Sequence, residues 1–409
     1  MKLAIITSGF LPVPATKGGA VENLIVNFIK ENENNQENPM NITIFSEYDD
    51  KAQKEVKNYS KTKIEFIKTP KIIQGIDKMI FLLAKNVLKK ENSQSYRFIL
   101  KRLYYLNKVS RKLKINDYDK VLLENHPTQY LALKWRKNYI KYQNNYYYHC
   151  HNEFPGQYGC EKIIKNTQKF ICVSNYISNA LQQYLHTDSS KFVVLKNGIN
   201  QELFQQHLSK KRLQELRIKY DIKNDEIVLL FTGRIVPEKG VLELLEALKE
   251  VNGKYKLLIV GAALNDIKTK TKYELDIEKT VKEMKEKVVF TGYINYEKIY
   301  ELYHLADIAV LPSIWDDPAP LTIIESLTCG LPIITTNSGG IPEYALEGTS
   351  IIVNRDSHLI RNLKKSINKL LAETETRNQM QKKCIEASKS LTMSLYYKNL
   401  YMIINQQGI

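Results

Sequence analysis

Residues 227–240 read IVLLFTGRIVPEKG, which joins a short apolar run to a basic, glycine-containing loop. An apolar run of this length with polar neighbours is typical of a strand buried in a parallel sheet. The loop after it carries Arg234 and Lys239, and Gly233 and Gly240 leave its backbone free to bend. Guanidinium and ammonium groups after the carboxyl end of a strand can neutralise a diphosphate. A solvated basic loop is the alternative interpretation of the same residues.

A second motif, at residues 311–343, reads LPSIWDDPAPLTIIESLTCGLPIITTNSGGIPE and contains two carboxylates near its middle. Asp317 falls in a predicted turn, and Glu325 falls in a helix that is expected to start near Pro320. The first turn of that helix exposes the backbone N–H groups of Leu321, Thr322 and Ile323. Such unpaired N–H groups form a natural phosphate site. Glu325 could accept two ribose hydroxyls and Asp317 the hydroxyls of a sugar, whereas solvated helix charges are the alternative.

Short apolar runs recur along the whole chain in two series, with helical patterns between several of them. The first series covers residues 3–7, 42–45, 64–67, 121–123, 145–149, 170–173 and 192–195. The second series covers residues 227–232, 257–260, 288–291, 308–311 and 333–335. This alternation predicts right-handed βαβ units and an α/β fold with two Rossmann-like domains that face each other across a central cleft.

The boundary between the two series lies near Asn197-Gly198 and a lysine-rich stretch at residues 209–225. We therefore expect an N-terminal domain at residues 1–196 and a C-terminal domain at residues 197–390. A final helix, at about residues 391–409, is expected to pack back on the first domain. Ligands of such sheets bind at the carboxyl ends of the strands.

The composition is that of a globular protein made and kept inside the cell. The chain has 409 residues, of which 43% are apolar and 25% are charged. Its five cysteines form no C-x-x-C pair, which favours a reducing compartment over a disulfide scaffold. We find neither a signal peptide nor a run of ~20 apolar residues. A cytoplasmic location is expected, with peripheral attachment to the inner face of the cell membrane as an addition.

Two further sites precede the second series. Gly18-Gly19, before the first predicted helix, is compatible with phosphate, but no G-x-G-x-x-G fingerprint of a nicotinamide dinucleotide follows the first strand. His149 and His151 end an aromatic strand, and their spacing places both rings on one face. They are interpreted as metal ligands, as buried or capping histidines, or as residues that touch a donor sugar in the cleft. His151 is the better candidate for the sugar contact.

A metal is not expected in this protein. No third and fourth ligand accompanies the histidine pair at a spacing usual for zinc. Asp117 and Asp119 form a D-x-D motif, but they precede a strand and are predicted to lie in a solvated turn away from the cleft.

Taken in order, these motifs resemble the retaining glycosyltransferases of family 4 (group 1), which have the GT-B fold. The matching segments are GRIVPEKG, PSIWDDP, ESLTCGLP and SGGIPE, with Gly18-Gly19, His151-Asn152, Ser174 and residues 197–200. The resemblance implies that Arg234 and Lys239 hold the diphosphate and Glu325 the ribose. It further implies that His151 lies by the donor sugar and that the Gly19 loop covers the phosphates.

The sequence departs from the family at one position, because the first carboxylate of the pair is usually Glu and here is Asp317. The neighbouring Asp316 could take its role. The contact to the sugar hydroxyls is therefore the least secure of the implied roles.

The resemblance implies retention without a metal or an enzymic base. The departing diphosphate oxygen would receive the acceptor's proton during same-face attack. The expected donor is a nucleotide diphosphate sugar, predicted to be a UDP-sugar. The acceptor would be a saccharide or a lipid-linked molecule in cell-surface polysaccharide synthesis. Glu124 and Asn125, after a predicted strand, are expected on the acceptor side and resemble a subgroup with spore-coat-associated members. A sugar-nucleotide epimerase and a coat or scaffold protein that retains the fold are the alternatives.

The net charge of +16 is concentrated in residues 71–114, which contain twelve Lys or Arg against Asp77 and Glu91. The apolar residues in the second half of this patch follow helical spacing. The patch is interpreted as a packed helix with a charged outer face, or as a surface that docks on an anionic membrane. A nucleic-acid partner is not expected, because no binding motif accompanies the charge.

Overall fold

The protein is described by a computed structural model that covers residues 1–56, 59–86, 97–261, 272–284 and 286–405. The chain divides into two compact units. The first comprises Met1–Lys196 together with the terminal segment that begins at Tyr396, and the second comprises Asn197–Leu395. Each unit contains one parallel sheet with helices in the connections, so the predicted α/β class with two Rossmann-like sheets is confirmed.

The first unit is built on a seven-stranded sheet. Its strands are β1 (Lys2–Ile6), β2 (Asn41–Glu47), β3 (Thr62–Ile67), β4 (Lys120–Glu124), β5 (Tyr146–Cys150), β6 (Phe170–Cys172) and β7 (Phe192–Val194). They lie in the order β3-β2-β1-β4-β5-β6-β7, and every neighbouring pair is parallel. The direction of the strand order reverses between β1 and β4, and ligands of such sheets bind outside the carboxyl ends at this point.

The helices of the first unit lie in the connections between its strands. They are α1 (Ala20–Asn34), α2 (Asp50–Glu55), α3 (Lys71–Asn86), α4 (Ile99–Ile115), α5 (Tyr130–Lys134), α6 (Asn138–Lys141), α7 (Glu161–Lys165) and α8 (Asn175–Leu185). Helix α1 buries Leu24, Ile25, Phe28 and Ile29 at helical spacing. Each such side chain stabilises the unit by about 1.5–3 kcal/mol, which fixes the helix against the sheet.

The second unit repeats the architecture with six strands. They are β8 (Ile227–Thr232), β9 (Tyr255–Val260), β10 (Val288–Gly292), β11 (Ile308–Leu311), β12 (Ile333–Thr336) and β13 (Ser350–Val353). The order is β10-β9-β8-β11-β12-β13, so the reversal lies between β8 and β11. Strand β13 was not predicted, because its four residues at the edge of the sheet are only partly buried.

The helices of the second unit connect these strands and lead out of the sheet. They are α9 (Gln201–Phe204), α10 (Lys210–Lys219), α11 (Val241–Lys249), α12 (Lys272–Glu283), α13 (Tyr300–Leu305), α14 (Leu321–Thr328), α15 (Ile341–Tyr344), α16 (Leu359–Ala372) and α17 (Thr374–Ser388). The apolar side chains of the sheet are buried in two clusters, one on each face.

The last helix, α18 (Met393–Asn405), returns to the first unit. The single O–H of Tyr397 is shared between the Asn38 carbonyl oxygen at 2.7 Å and Asn32 Oδ1 at 2.8 Å. Tyr147 of β5 donates to the carbonyl of Ile404 at 3.1 Å. These buried hydrogen bonds attach the helix to both α1 and the sheet.

The two chain segments that open and close the second unit are hydrogen-bonded to each other. Ile199 N donates to the Leu391 carbonyl at 3.1 Å, and Met393 N donates to the Ile199 carbonyl at 3.0 Å. The second unit is therefore an insertion whose two ends lie side by side.

Candidate active site

The loop after β8 and the loop after β11 are in direct contact at the switch point of the second sheet. Gly240, just before α11, has φ of 70°, and a Cβ there would lie 2.0 Å from the carbonyl oxygen of Pro312. Ile314 N also donates to the carbonyl of Glu238 at 3.0 Å. Only glycine allows this approach, so the sequence at this position brings the two functional loops together.

Lys239 and Asp317, predicted from separate motifs, form an ion pair through Lys239 Nζ and Asp317 Oδ2. Their side chains are 23% and 10% exposed, so the pair is largely shielded from water. Arg234 lies in the same loop, is exposed, and has no acidic partner among the residues that the structure describes. The site thus contains one paired and one unpaired cation.

Asp316 is tied to the double glycine that follows β12. Its Oδ1 accepts from Gly339 N at 2.9 Å and from Arg355 Nη2 at 2.5 Å. Gly339 has φ of 53°, and a Cβ there would lie 2.6 Å from the carbonyl carbon of Asp316. Asp316 therefore holds the loop that carries Asp317, and its role as a substitute in sugar binding stays a prediction.

Glu325 lies in the second turn of α14 and is almost fully buried. Burial raises the pKa of Glu325 to about 7, although the hydrogen bond from Tyr303 opposes this rise. The Tyr303 hydroxyl donates to Glu325 Oε2 at 2.6 Å and lies 2.8 Å from Thr232 Oγ1. The carboxylate is thus linked to the end of β8, and additional donors such as hydroxyl groups would stabilise its charged form.

A pocket lies among these elements within the second unit. Its lining includes Thr232, Gly233, Lys239, Ser313, Asp317 and Thr322. Thr322 belongs to the first turn of α14, and Leu321 begins that helix. The structure therefore brings one predicted cation, Lys239, one carboxylate and the helix N-terminus around one space, with Glu325 in the turn behind, whereas Arg234 is not part of the lining.

In the first unit, Glu124 and two histidines form a buried cluster at the ends of β4 and β5. Glu124 Oε1 lies 3.2 Å from His149 Nδ1, and Glu124 Oε2 lies 3.1 Å from His151 Nε2. His149 Nδ1 and His151 Nε2 are 3.1 Å apart. One carboxylate oxygen of Glu124 and one ring nitrogen from each histidine lie close enough together to hold a metal ion. Glu124 would be a ligand that the sequence spacing did not reveal. Two imidazole N–H groups that donate to one carboxylate explain the same geometry without a metal.

The electrostatics of this cluster favour a charged glutamate. Burial alone would raise the pKa of Glu124, but the charges and hydrogen bonds of His149 and then His151 lower it to about 2. Burial, followed by the neighbouring His149, lowers the pKa of His151 to about 4. His151 is therefore a neutral imidazole near pH 7, held in place by Glu124.

Asn125 fixes the end of β5 rather than facing solvent with its amide oxygen. It adopts φ of 68°, and its N donates to the His149 carbonyl at 2.9 Å. Its Oδ1 accepts from His151 N at 3.2 Å and from Asn152 Nδ2 at 3.0 Å. The polar groups of Glu124 and Asn125 are thus directed to the histidine segment, and their part in acceptor binding stays a prediction.

The Gly18-Gly19 loop leads into α1 beside this cluster. Gly18 and Gly19 have φ of 73° and 109°, and a Cβ on Gly19 would lie 2.1 Å from Glu22 Oε2. Burial raises the pKa of Glu22 to about 7, and the charge of Glu124 contributes to that rise. Glu22 was not predicted as a site residue, because in the sequence it is only an acid in the first turn of a predicted helix.

The D-x-D motif lies at the opposite, amino end of the first sheet. Asp117 is exposed and pairs with Lys141 at 2.9 Å. Asp119 accepts from the backbone N of Lys2, the first residue of β1, at 2.7 Å. The motif is a solvated turn, as predicted.

Two protein-family models match this chain. The model of the group 1 glycosyl transferases matches residues 213–387, and that of Glycosyltransferase Family 4 matches residues 83–203. Together they cover the segments that carry the second-unit pocket and the histidine cluster. The chain belongs to the group 1 glycosyltransferases.

The relatives of this glycosyltransferase include enzymes named for polysaccharide synthesis. It is 27% identical to the lipopolysaccharide 1,2-N-acetylglucosaminetransferase of Salmonella typhimurium, over 61% of this chain and 62% of that protein. It is 24% identical to spore coat protein SA of Bacillus subtilis over 93% of each chain. The match thus spans less than two thirds of the first relative and nearly all of the second.

Solved structures place the fold of this glycosyltransferase in the GT-B class. HepE of Anabaena, solved with UDP, matches with a TM-score of 0.73 at 16% identity over the whole of both chains. WaaG, a glycosyltransferase involved in lipopolysaccharide biosynthesis, matches with a TM-score of 0.68 at 16% identity over 99% of this chain and all of WaaG.

The basic patch of this glycosyltransferase falls mainly on α3 and α4. Asp77 of α3 is buried, and its carboxylate oxygens accept from Leu100 N at 2.9 Å and Lys101 N at 2.8 Å. Lys89, Lys90 and Glu91 lie outside the described residues. No helix in the described ranges is long and apolar enough to span a bilayer.

Proposed function

We propose that this protein is a retaining glycosyltransferase that moves a sugar from a UDP-sugar to a saccharide or lipid-linked acceptor in cell-surface polysaccharide synthesis. The observation that carries the proposal is the grouping of Lys239, Asp317 and Thr322 around one pocket, with Glu325 in the turn behind. Such a set offers a cation and helix N–H groups for a diphosphate, and carboxylates for hydroxyls. HepE, whose fold is similar, was solved with UDP-glucose, which supports UDP as the nucleotide.

Within this proposal, the ribose binds to Glu325 and the diphosphate binds to Arg234, Lys239 and the first turn of α14. Lys239 Nζ then turns from Asp317 toward the phosphate. The released Asp317 carboxylate accepts hydroxyl groups of the transferred sugar. His151, held neutral by its surroundings, has the proposed role of contacting the donor sugar.

The chemical step needs no enzymic base in this scheme. The bond between the anomeric carbon and the diphosphate oxygen breaks, and the acceptor oxygen bonds to the same face of that carbon. The acceptor proton passes to the departing phosphate oxygen. Arg234 and Lys239 stabilise the negative charge that develops there, so positioning and electrostatics supply most of the acceleration.

The test is a thermal-shift titration with UDP in the presence of EDTA. A ligand at 100 times its Kd stabilises a protein by ~2.7 kcal/mol, so we expect a clear rise in Tm for the wild type. Lys239→Ala should abolish the rise, whereas Lys254→Ala, which removes an exposed lysine of the same unit, should preserve it. An unchanged shift in Lys239→Ala would refute the diphosphate assignment. A shift that requires a divalent metal would refute metal-free donor binding.

The alternatives give different products. An epimerase would convert a UDP-sugar to its epimer in the absence of acceptor. A coat or scaffold protein, an option raised by the likeness to spore coat protein SA, would neither transfer nor hydrolyse any UDP-sugar.

We also propose that helix α3 docks on an anionic membrane. It exposes Ile72, Ile76, Met79, Leu82 and Leu83 to solvent. Four of these, at positions 72, 76, 79 and 83, follow one helical face. Lysines at positions 71 and 78 belong to the same helix, and the carboxylate of Asp77 is buried. Apolar insertion together with attraction of the lysines to acidic lipids is the usual basis of such binding.

A further inference from the structure

Arg102, in the first turn of α4, has its guanidinium group between two aromatic rings of the first unit. Its Cζ lies 3.6 Å from the ring centroid of Phe10. Its Nη1 donates to His126 Nε2 at 2.9 Å. Neither the proposed donor site nor the histidine cluster uses these three side chains.

No carboxylate contacts this guanidinium among the residues that the structure describes. The Nε atom of Arg102 is buried and has no hydrogen-bond partner there. Burial lowers the pKa of Arg102 to about 10. The imidazole of His126 carries no negative charge and so is not a counterion for Arg102.

A packing role alone does not account for a cation in this environment. Removing part of an unpaired charge from water is unfavourable, and a cation–π contact offsets only about 0.5–2 kcal/mol. A partly buried guanidinium whose Nε is shielded and without a partner is therefore poised to bind an anion. The planar fork of Arg suits a phosphate group in particular.

The surroundings of Arg102 are open and aromatic. Phe10, Phe98 and Tyr158 are 36%, 39% and 46% exposed. Phe10 lies 6.1 Å from Phe98, and His126 lies 6.1 Å from Tyr158, measured between ring centroids. Exposed rings around a small number of convergent polar groups are typical of a ligand site.

The position in the fold favours a ligand of the first unit itself. Phe10 follows the carboxyl end of β1, and His126 follows the carboxyl end of β4. These strands flank the switch point of the first sheet, where ligands of such sheets bind. Asn125, next to His126, accepts from the backbone of His151, so this site lies beside the residue proposed to contact the sugar.

We propose that Arg102, held in place by His126, binds a phosphate group of the acceptor, with Phe10, Phe98 and Tyr158 packing against the part that adjoins it. This inference rests on the proposed function and names its acceptor class, a phosphate-bearing molecule. The phosphate belongs either to a lipid-linked sugar or to a soluble sugar phosphate. Arg102 donates only one of its N–H groups to His126, so the others remain to donate to phosphate oxygens.

The test follows the ring resonances of His126 by NMR in the full-length protein, with labelled histidine and methyl phosphate at constant ionic strength. We expect a saturable shift in the wild type. Arg102→Met should weaken methyl phosphate binding by about tenfold or more, because charge-assisted hydrogen bonds are lost. Arg111→Met makes the same change at an exposed position of the same helix and should preserve the binding.

Thermal unfolding of the same variants separates a ligand site from a structural role. Met keeps an apolar stem against Phe10 and removes an uncompensated charge, so the Tm of Arg102→Met without ligand should equal or exceed that of the wild type. If this variant does not fold, the same titration is made on Arg102→Lys, which keeps the His126 signal. Absence of a saturable His126 shift in the wild type, or equal affinity in the wild type and a folded Arg102 variant, would overturn the proposal.

Two arms identify the source of the phosphate. Glucose 1-phosphate represents a soluble acceptor, and farnesyl diphosphate in micelles represents a lipid-linked one; the tighter ligand in the wild type names the source. The UDP thermal shift is measured in parallel. If the wild type shows no UDP thermal shift, the result counts against the proposed function alone. If it shows the UDP shift but does not bind phosphate, the result counts against this inference alone.

Discussion

Glu325 combines a proposed role in ribose binding with a cost in stability. Its carboxyl group is buried beside Tyr303, and burial raises its pKa from 4.5 to about 7. In the unfolded chain the same group ionises near its ordinary pKa. The folded protein therefore holds more protons between pH 4.5 and about 7, and stability falls as pH rises through this window.

Glu325→Gln should remove this pH dependence while it mimics the protonated side chain. At pH 5 the variant and the wild type should have similar stability, and at pH 8 the variant should be more stable by an amount on the order of 3 kcal/mol at most. Urea unfolding at both pH values measures the difference. The exposed Glu347→Gln in the same unit is the control. A stability difference between Glu325→Gln and the wild type that is independent of pH would contradict the buried-acid explanation.

The sequence predicted the charged residues of the site better than their partners. Lys239, Asp317 and Glu325 stand out in motifs, because charges and glycines at fixed spacing carry a chemical signal. Tyr303 and Glu22 do not, since each reads as an ordinary position of an amphipathic helix. Their contacts depend on how distant segments pack, which no local pattern encodes.

Helix α3 is an element whose exposed apolar face has no intramolecular use among the described residues. Its exposed residues Ile72 and Met79 are 78% and 56% accessible. Its one acid, Asp77, caps α4 instead of repelling a negative surface. The helix thus presents lysines and apolar side chains without an exposed carboxylate.

Replacement of Met79 and Leu83 by Ser should release the protein from anionic vesicles. We expect flotation of the wild type with phosphatidylglycerol vesicles and about tenfold weaker partitioning for the double variant, since each buried CH₂ contributes ~0.8 kcal/mol. Ile218→Ser, which alters an exposed isoleucine of α10, is the matched control. Equal flotation of the wild type with neutral and anionic vesicles would refute the electrostatic part of the proposal.

Among the elements, buried central strands were the easiest to predict. The runs at β1, β4 and β8 are apolar along their length, as strands covered on both faces must be. The edge strand β13 is partly exposed and lacks this signature. Likewise, the spacing of apolar residues predicts helix α4, but nothing in it indicates that the cap of α4 comes from α3.

At the level of the whole chain, the second unit is inserted into the first. The chain enters near Asn197, leaves near Leu395, and joins these ends through the hydrogen bonds between Ile199 and the segment around Leu391. Closely spaced termini and a core of its own are the properties of a domain that can fold alone.

A fragment comprising residues 197–395 should therefore unfold cooperatively and show the UDP thermal shift without the first unit. Calorimetry and the titration described above measure both properties. The fragment with Lys239→Ala should unfold cooperatively but lack the shift. A fragment without a cooperative transition would show that the first unit is required for the fold of the second.

The ion pair between Lys239 and Asp317 would make sugar binding depend on the diphosphate in the proposed donor complex. A free monosaccharide that enters alone meets a carboxylate already neutralised by an ammonium group, and it brings no charge with which to separate them. A diphosphate does bring that charge. If the donor binds as proposed, sugar identity would be read only on a molecule that already carries its nucleotide, and free monosaccharides would not compete for the pocket.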